Sequence, residues 1–290
     1  MNGWLIVNNF VKSEKSQILW GMLLGSAKRC GIKLELKRTG ELGIPVGERF
    51  DKLPDFAIFW DKDIHLAARL EECGLRLFNS SRSIDLCDNK VLTYMELAKH
   101  NIRFPTTFVS PKTYPAVGLS NMDFVKNACD RLGFPVIVKE AYGSFGQQVY
   151  LAENYAEVCK IVSDIGSSEF VLQKFVSESR GRDVRINVVG DKAVASMYRY
   201  NNSDFRSNIS NGGSMRAYRA TAEQEQLAVN ACKALGLDFG GVDVLFDEEA
   251  GATVCEVNSN PHFKSTFDCT GIDMSEYILK HIKESLWTVG

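Results

Sequence analysis

No two cysteines in this 290-residue chain stand in C-x-x-C spacing. The eight thiols, Cys30, Cys73, Cys87, Cys129, Cys159, Cys232, Cys255 and Cys269, are scattered. That pattern argues against a zinc or disulfide framework and predicts reduced, mostly buried cysteines in a cytoplasmic protein. Net charge is also nearly absent: 34 Lys and Arg stand against 36 Asp and Glu, a balance of -2. No global field then draws the chain to nucleic acid or to an anionic membrane, and any anion site must be local. No apolar run is long enough to span a bilayer, and Met1-Asn2-Gly3-Trp4 opens without the basic and apolar stretches of a secretory leader. Internal repeats and low-complexity tracts are missing too. What remains is an ordinary globular composition, 45% hydrophobic and 24% charged, in a chain long enough for two or three units packed into one body.

The first ninety residues alternate short apolar runs with longer amphipathic ones: Trp4–Val7, Gln17–Cys30, Ile32–Lys37, Asp55–Trp60, Ile64–Cys73 and Leu75–Phe78. This rhythm predicts a small α/β unit with a parallel sheet, whose strand ends often carry ligands, so Asn8-Asn9 is a candidate rim unless it is only a solvated loop. A helix is expected over Asp88–Asn101 with Asp88 as its cap, and a second near Met122–Leu132. Strands are expected at Phe134–Lys139, Val149–Ala152, Phe170–Val176, Val184–Val189 and Ala193–Tyr200, the last two forming a hairpin across Gly190-Asp191. Glu223–Leu235 has helical spacing, Val242–Phe246 and Thr253–Val257 read as a strand pair, and Met274–Leu286 closes the chain as a helix. Three units follow: residues 1–87, 88–176 and 177–290.

The sharpest chemical signal lies in the late strand pair, Gly241-Val242-Asp243 and Glu256-Val257-Asn258-Ser259-Asn260. Strand side chains alternate faces, so Glu256, Asn258 and Asn260 share one face and a hairpin can bring Asp243 beside them, where three or four oxygen donors converge. Two carboxylates and an amide oxygen suit magnesium. A solvent-facing polar stripe would look similar, but the surrounding valines predict a half-buried segment, where a carboxylate needs a cation or a donor. A second signal is Lys139 at the end of an apolar strand, followed by Gly143-Ser144-Phe145-Gly146-Gln147-Gln148. Glycines admit close backbone approach to phosphate, and the lysine adds a charge. A Walker loop or dinucleotide fold would open a helix here, whereas this loop joins two strands, and the kinase H-R-D and D-F-G segments are missing. Lys90 opposes a helix dipole at a predicted N-terminus, a placement that an outside anion explains. Residues 180–219 hold eight Lys and Arg against three Asp. Sparse aromatic interleaving favours small anions over nucleic acid as partners of that patch.

In order along the chain these pieces are Asp88-Asn89-Lys90, the Lys139–glycine loop, Val171-Leu172-Gln173-Lys174-Phe175-Val176, Gly181-Arg182-Asp183-Val184-Arg185, Asp204-Phe205-Arg206-Ser207-Asn208, Gly241-Val242-Asp243 and Glu256-Val257-Asn258-Ser259-Asn260-Pro261. The combination resembles the ATP-grasp superfamily and, within it, the RimK-type glutamate ligases, from about residue 80 to the end. The resemblance implies an α/β ATP-grasp fold preceded by a parallel-sheet domain. It further implies ATP and magnesium, with manganese as a substitute. Lys90, Lys139, Gly143, Ser144 and Gly146 would contact or cover phosphates; Gln173, Lys174 and Phe175 would form the adenine hinge; Asp183 would hold the ribose. Arg206, Ser207 and Asn208 would line the phosphates, with Arg185, Arg206 and Asn208 catalytic, and Asp243, Glu256 and Asn258 would bind the metal. Lys174 replaces a usual acidic residue, and Gln148 stands where a third loop glycine is common, which predicts a stiffer loop.

The activity implied is carboxylate–amine ligation through an acyl phosphate. The partners would be a small or peptide carboxylate and an amino-acid amine, without nucleic acid or membrane, in a chain that could be a homo-oligomer. Arg199 is a candidate for holding a second substrate carboxylate. No residue presents itself as the base for the amine. The rival readings are an ATP-binding regulatory module without turnover and a nucleic-acid binder that uses the arginine-rich stretch.

Overall fold

The computed structural model describes residues 1–43, 45–143 and 146–287. Its first unit runs β1 (Asn2–Val7), α1 (Glu14–Arg29), β2 (Lys33–Arg38), β3 (Phe56–Trp60), α2 (Ile64–Glu72) and β4 (Leu77–Phe78). The strands pair in the order β2-β1-β3-β4, all parallel, as the alternation of apolar and amphipathic runs predicts. The carboxyl ends of β1, β2 and β3 therefore share one edge of the sheet.

Helix α3 (Ser81–Asp88) and helix α4 (Lys90–Lys99) follow. The expected cap is corrected here. Asp88 is the last residue of α3, and Asn89 caps α4, its Oδ1 accepting from the backbone N–H of Val91 at 2.8 Å and of Leu92 at 3.3 Å. An asparagine oxygen immediately before the first turn reaches those orphan donors, whereas Asp88 is occupied by an ion pair with Lys62. The expected boundary between residues 87 and 88 falls within the last turn of α3.

The middle of the chain supplies β5 (Thr107–Val109), α5 (Asp123–Leu132), β6 (Val136–Glu140), β7 (Val149–Ala152), α6 (Tyr155–Ile165) and β8 (Phe170–Lys174), with an antiparallel sheet ordered β5-β8-β6-β7. Val125 and Cys129 of α5 and Val158 and Val162 of α6 pack on Val136, Val138, Phe170 and Leu172. Because faces alternate, covering those residues turns Ile137, Lys139 and Gln173 to the other side.

The last third holds β9 (Arg182–Val189), β10 (Lys192–Tyr200), β11 (Ser214–Ala217), α7 (Ala222–Ala234), β12 (Phe239–Asp247), β13 (Gly251–Asn258), α8 (Lys264–Thr270) and α9 (Met274–Trp287). The sheet is antiparallel with order β11-β10-β9-β12-β13. One face, with Val184, Ile186, Val188, Val242 and Val244, joins α4 and α7 in a core. The opposite face carries Asp183, Arg185 and Asp243. Helices α3, α6 and α8 and strands β5 and β11 are additions to the expected pattern. Helix α8 is only 7 residues long, too short for a periodic signal, and β11 is an edge strand whose exposure does not alternate.

The first and last units share a core. Leu5, Phe56 and Phe78 pack in one cluster with Phe239, Phe263 and Ile278, and Trp60 stacks on Phe239 at 5.4 Å while meeting Phe263 edge-on at 5.6 Å. Aromatic pairs of this kind contribute roughly 0.5–1.5 kcal/mol beyond the area they bury. Buried Asn79 fastens the seam with all of its polar atoms: its amide nitrogen donates to the carbonyls of Phe239 and Ser259, both at 2.9 Å, and its oxygen accepts from the Asp238 and Phe239 N–H groups. The cysteines are free; Cys129 and Cys232 are buried and the other six half-buried, so fewer are enclosed than composition suggests. Among the described residues no helix is long and apolar enough to cross a membrane.

Candidate functional site

Between the β5-β8-β6-β7 sheet and the five-stranded sheet lies a cleft of about 850 Å³, open to solvent. Its lining includes Lys90, Lys139, Gly143, Gly146, Gln173, Lys174, Phe175, Asp183, Arg206, Ser207, Asn208, Asp243 and Glu256. Thirteen residues expected from separate stretches of sequence are thus brought to one cavity. Arg185 and Asn258 do not line it, and Ser144 lies outside the described residues.

The positions of the two lysines on one wall follow from local structure. Lys90 starts α4, is 9% exposed, and its Nζ reaches the Gly143 carbonyl at 3.4 Å. Burial, together with the nearby charges of Lys139 and Lys62, lowers its pKa, against the pull of Glu256. Lys139 is 5% exposed, with Nζ donating to the Tyr94 hydroxyl at 3.0 Å and lying 3.8 Å from Cys255 Sγ. Burial opposes its charge, but Cys255, Tyr94 and Glu256 more than offset that and hold its pKa above the ordinary lysine value.

On the facing sheet, charge is arranged as a ladder. Arg199 donates to Asp183 through Nε at 2.7 Å, and its Nη2 also meets Asp243 Oδ2 at 2.9 Å. Arg185 binds Asp243 through Nε and, at 2.8 Å, through Nη2. Ser207 completes the row, donating to Asp183 at 2.6 Å. Burial works against the Asp243 anion, yet the two guanidinium groups hold its pKa below the usual carboxylate range. Arg199 was a candidate for a substrate carboxylate; it instead joins two carboxylates of the chain itself, because Asp183 lies directly opposite it in the β9–β10 register.

Loop residues close the cleft from the side. Arg206 pairs with Asp204 and donates to the Gly146 carbonyl at 2.7 Å. A Cβ on Gly146 would lie 2.8 Å from Asn208 Oδ1, so the two loops approach at a distance only glycine permits, at a φ of +72°. Gln148 folds its carboxamide over Gly143, whose missing Cβ would lie 2.4 Å from Gln148 Oε1. In the hinge, Gln173 is buried and donates to Thr107 at 2.7 Å, while Lys174 reaches out to Glu249 at 2.6 Å.

For a divalent cation, the chemistry of the donors can be tested directly. Asp243 and Glu256 face each other across β12 and β13. Glu256 makes no hydrogen bond or ion pair among the described residues. Asp243 already has two arginines, so its burial needs no metal to explain it. Asn258 turns its amide to the Gly241 carbonyl at 3.4 Å. Among the described residues no three His, Cys, Asp or Glu side chains gather into a cage. This set fits an ion shared with phosphate oxygens, as magnesium prefers, rather than one enclosed by protein.

Tyr94 and Cys255 escaped the sequence reading. Tyr94 stands one turn after Lys90 on the same helical face, a spacing visible in the sequence, and its hydroxyl donates to the Cys255 carbonyl at 2.7 Å. Cys255 enters the cleft because the β12–β13 register shifts there: Asp243 pairs with Glu256 and Val244 with Val254. The extra residue resets the alternation, so Val254 reaches the core while Glu256 faces the cleft.

A family model described as the RimK-like ATP-grasp domain matches residues 87–282. The chain is 33% identical over 249 residues to beta-citrylglutamate synthase B of Danio rerio, covering 81% of this chain and 60% of that protein. It is 33% identical over 233 residues to N-acetylaspartylglutamate synthase A of Homo sapiens, 78% of this chain and 57% of that one. It thus spans about three fifths of the length of these two relatives. A solved RimK domain ATP-grasp protein of Sphaerobacter thermophilus superposes with a TM-score of 0.74 at 19% identity, covering 97% of this chain and 98% of that one, which gives the mixed α/β fold expected from the motifs. The chain belongs to the RimK-like ATP-grasp family of ATP-binding ligases.

Proposed function

We propose that this protein joins a carboxylate to the amine of an amino acid, such as glutamate, with ATP converted to ADP. The observation that carries this reading is the opposition of Lys90 and Lys139 on one wall of the cleft to the Asp243–Glu256 pair on the other. A substrate carboxylate attacks the terminal phosphoryl group to give an acyl phosphate, and the amine then displaces phosphate. Lys90, Lys139 and Arg206 neutralise charge on the phosphates, the largest contribution a protein makes to such transfers. Gln173, Lys174 and Phe175 border the base and Asp183 the ribose. Glu256 and Asp243, with Asn258 behind them, would hold magnesium or manganese, which supplies charge neutralisation between phosphate oxygens. Arg185 keeps Asp243 ionised and oriented. The names of the two synthases support glutamate as the amine and a small acid as the carboxylate. The free thiols support a reducing, cytoplasmic location.

The test is ADP release with magnesium–ATP, a carboxylate panel and L-glutamate. Glu256→Ala should abolish it while Asn9→Ala leaves it intact; equal activity in both removes the metal assignment. A second reading, a nucleotide binder without turnover, draws on the pairing of Asp243 with two arginines. Tight ATP binding with no ADP from any carboxylate and amine would establish it instead.

A further inference from the structure

The ligation scheme needs a group to take the proton of the incoming ammonium. The loop after β13 carries two acceptors that lack partners. Asn260 Oδ1 and His262 Nε2 are both shielded from solvent and make no hydrogen bond among the described residues. The Asn260 amide cannot be turned to relieve this, because its nitrogen donates to the carbonyls of Phe59 at 3.3 Å and Asp61 at 3.2 Å. At His262 the ring lies near the backbone of Lys15, and Nε2 is its buried nitrogen without a partner among the described residues. An unmet buried acceptor is costly, and two within three residues form a place that a donor of several N–H bonds would fill.

The loop also lies beside the strand that carries one wall of the cleft. Along β12, Leu245 and Asp243 line the nucleotide cleft, and Gly241 comes next on the same face, opposite Asn258. A Cβ on Gly241 would lie 2.7 Å from Pro261 Cβ and 3.3 Å from Arg185 Cδ, so the loop and the Arg185 side chain both close on Gly241. Buried Asn79 grips the Ser259 carbonyl and fixes the start of the loop. Burial, with Lys15 and Arg185 as the charges facing the ring, lowers the His262 pKa and keeps the imidazole neutral at physiological pH.

We propose that Asn260 and His262 form the subsite for the amine, with His262 Nε2 the base that takes its proton. This rests on the ligase reading above. The ammonium gives one proton to Nε2, and its freed electron pair forms the C–N bond at the acyl carbon. The C–O bond to phosphate breaks, the second nitrogen proton leaves with the phosphate, and His262 returns its own proton to solvent.

The experiment compares two nucleophiles with magnesium–ATP and a carboxylate panel that includes N-acetyl-L-aspartate and citrate. One is each of the twenty amino acids; the other is hydroxylamine, already unprotonated at neutral pH and in no need of a base. His262→Ala should lower amide synthesis on the order of 10²-fold, with the deficit shrinking as pH rises, while hydroxamate formation and the KM for ATP stay at wild-type values. Asn260→Leu should raise the KM for the amino acid alone. His262→Gln, which keeps a polar side chain of similar reach, serves if the alanine variant does not fold, and should show the same split. Equal loss of hydroxamate and amide, unchanged amide synthesis, or a wild type that makes hydroxamate but accepts no amino acid each overturns the subsite. No hydroxamate from the wild type defeats the ligase reading itself.

Discussion

Arg185 and Asp243 form a fork-to-fork pair across β9 and β12, Nε and Nη2 of the one meeting the two oxygens of the other, and both side chains are nearly buried. The two residues are partners in the strand register, so backbone pairing itself brings the groups together. A carboxylate held this way stays ionised and pointed, yet it is also partly satisfied without any ligand. Glu256 beside it, which makes no hydrogen bond or ion pair among the described residues, is therefore the sharper test of the metal site.

Replacing Glu256 should affect chemistry more than folding. The side chain makes no hydrogen bond or ion pair among the described residues and acts on the fold through its attraction for Lys90 and Lys139, so Glu256→Gln should lower the melting temperature only slightly. Phosphoryl transfer should drop by ~10²-fold or more, the scale of losing one electrostatic stabiliser. Calorimetry and ADP release on the same preparation check both halves.

Arg199 should behave in the opposite way. It is 5% exposed and joins Asp183 to Asp243. Arg199→Met leaves Asp183 with only Ser207 among these partners, a buried charge without its counter-ion, and should destabilise the fold by about 3–5 kcal/mol. Urea unfolding measures this directly. An Asp183→Asn, Arg199→Met double variant should recover part of the loss, because the stranded charge is then removed.

Lys90 sets a pH dependence whose sign can be worked out. Its folded pKa is lowered from 10.5, so over the interval between the two values the unfolded chain binds more protons and this residue makes stability rise with pH. Lys90→Met should remove that rise and be more stable than the wild type at neutral pH. Affinity for ATP should move the other way, weakening as pH climbs through the lowered pKa and the cation is lost. Unfolding and nucleotide titrations over the same pH series test both slopes.

Lys174 should matter little. Its pair with Glu249 is exposed, at 41% and 79% for the two side chains, and such pairs contribute little in water. Lys174→Ala should change the Kd for ATP by less than about two-fold, since a ~1.4 kcal/mol difference is needed for ten-fold. A larger loss, measured by nucleotide titration, would mean that the side chain and not the backbone reads the base.

Local signals in the sequence reached far because they depend on near neighbours. Apolar periodicity placed the parallel sheet of the first unit, the β9–β10 hairpin and the β12–β13 pair, and alternation placed Lys139 on the face away from Val136 and Val138. The cap of α4 was misread by one residue because Asp88 and Asn89 are both good capping types and only the end of α3 separates them. Asn258 was expected beside Asp243; it pairs with Gly241 in the register, and its amide nitrogen donates to the Gly241 carbonyl, a partner set by the residue across the strand.

By itself the sequence determined the order and type of the chemical groups: Lys90, Lys139 and its glycine loop, Asp183, Arg206, Asp243 and Glu256, all carried by short segments whose conformation near neighbours dictate. The tertiary structure alone decided which charges meet. Cross-strand register put Arg199 between two carboxylates, a one-residue bulge at Cys255 turned Glu256 to the cleft and Val254 to the core, and the seam fastened by Asn79 set the loop of Asn260 and His262 beside Gly241 and Arg185. Those contacts join residues distant in the chain, and pairing between strands is fixed only when the whole core closes around them.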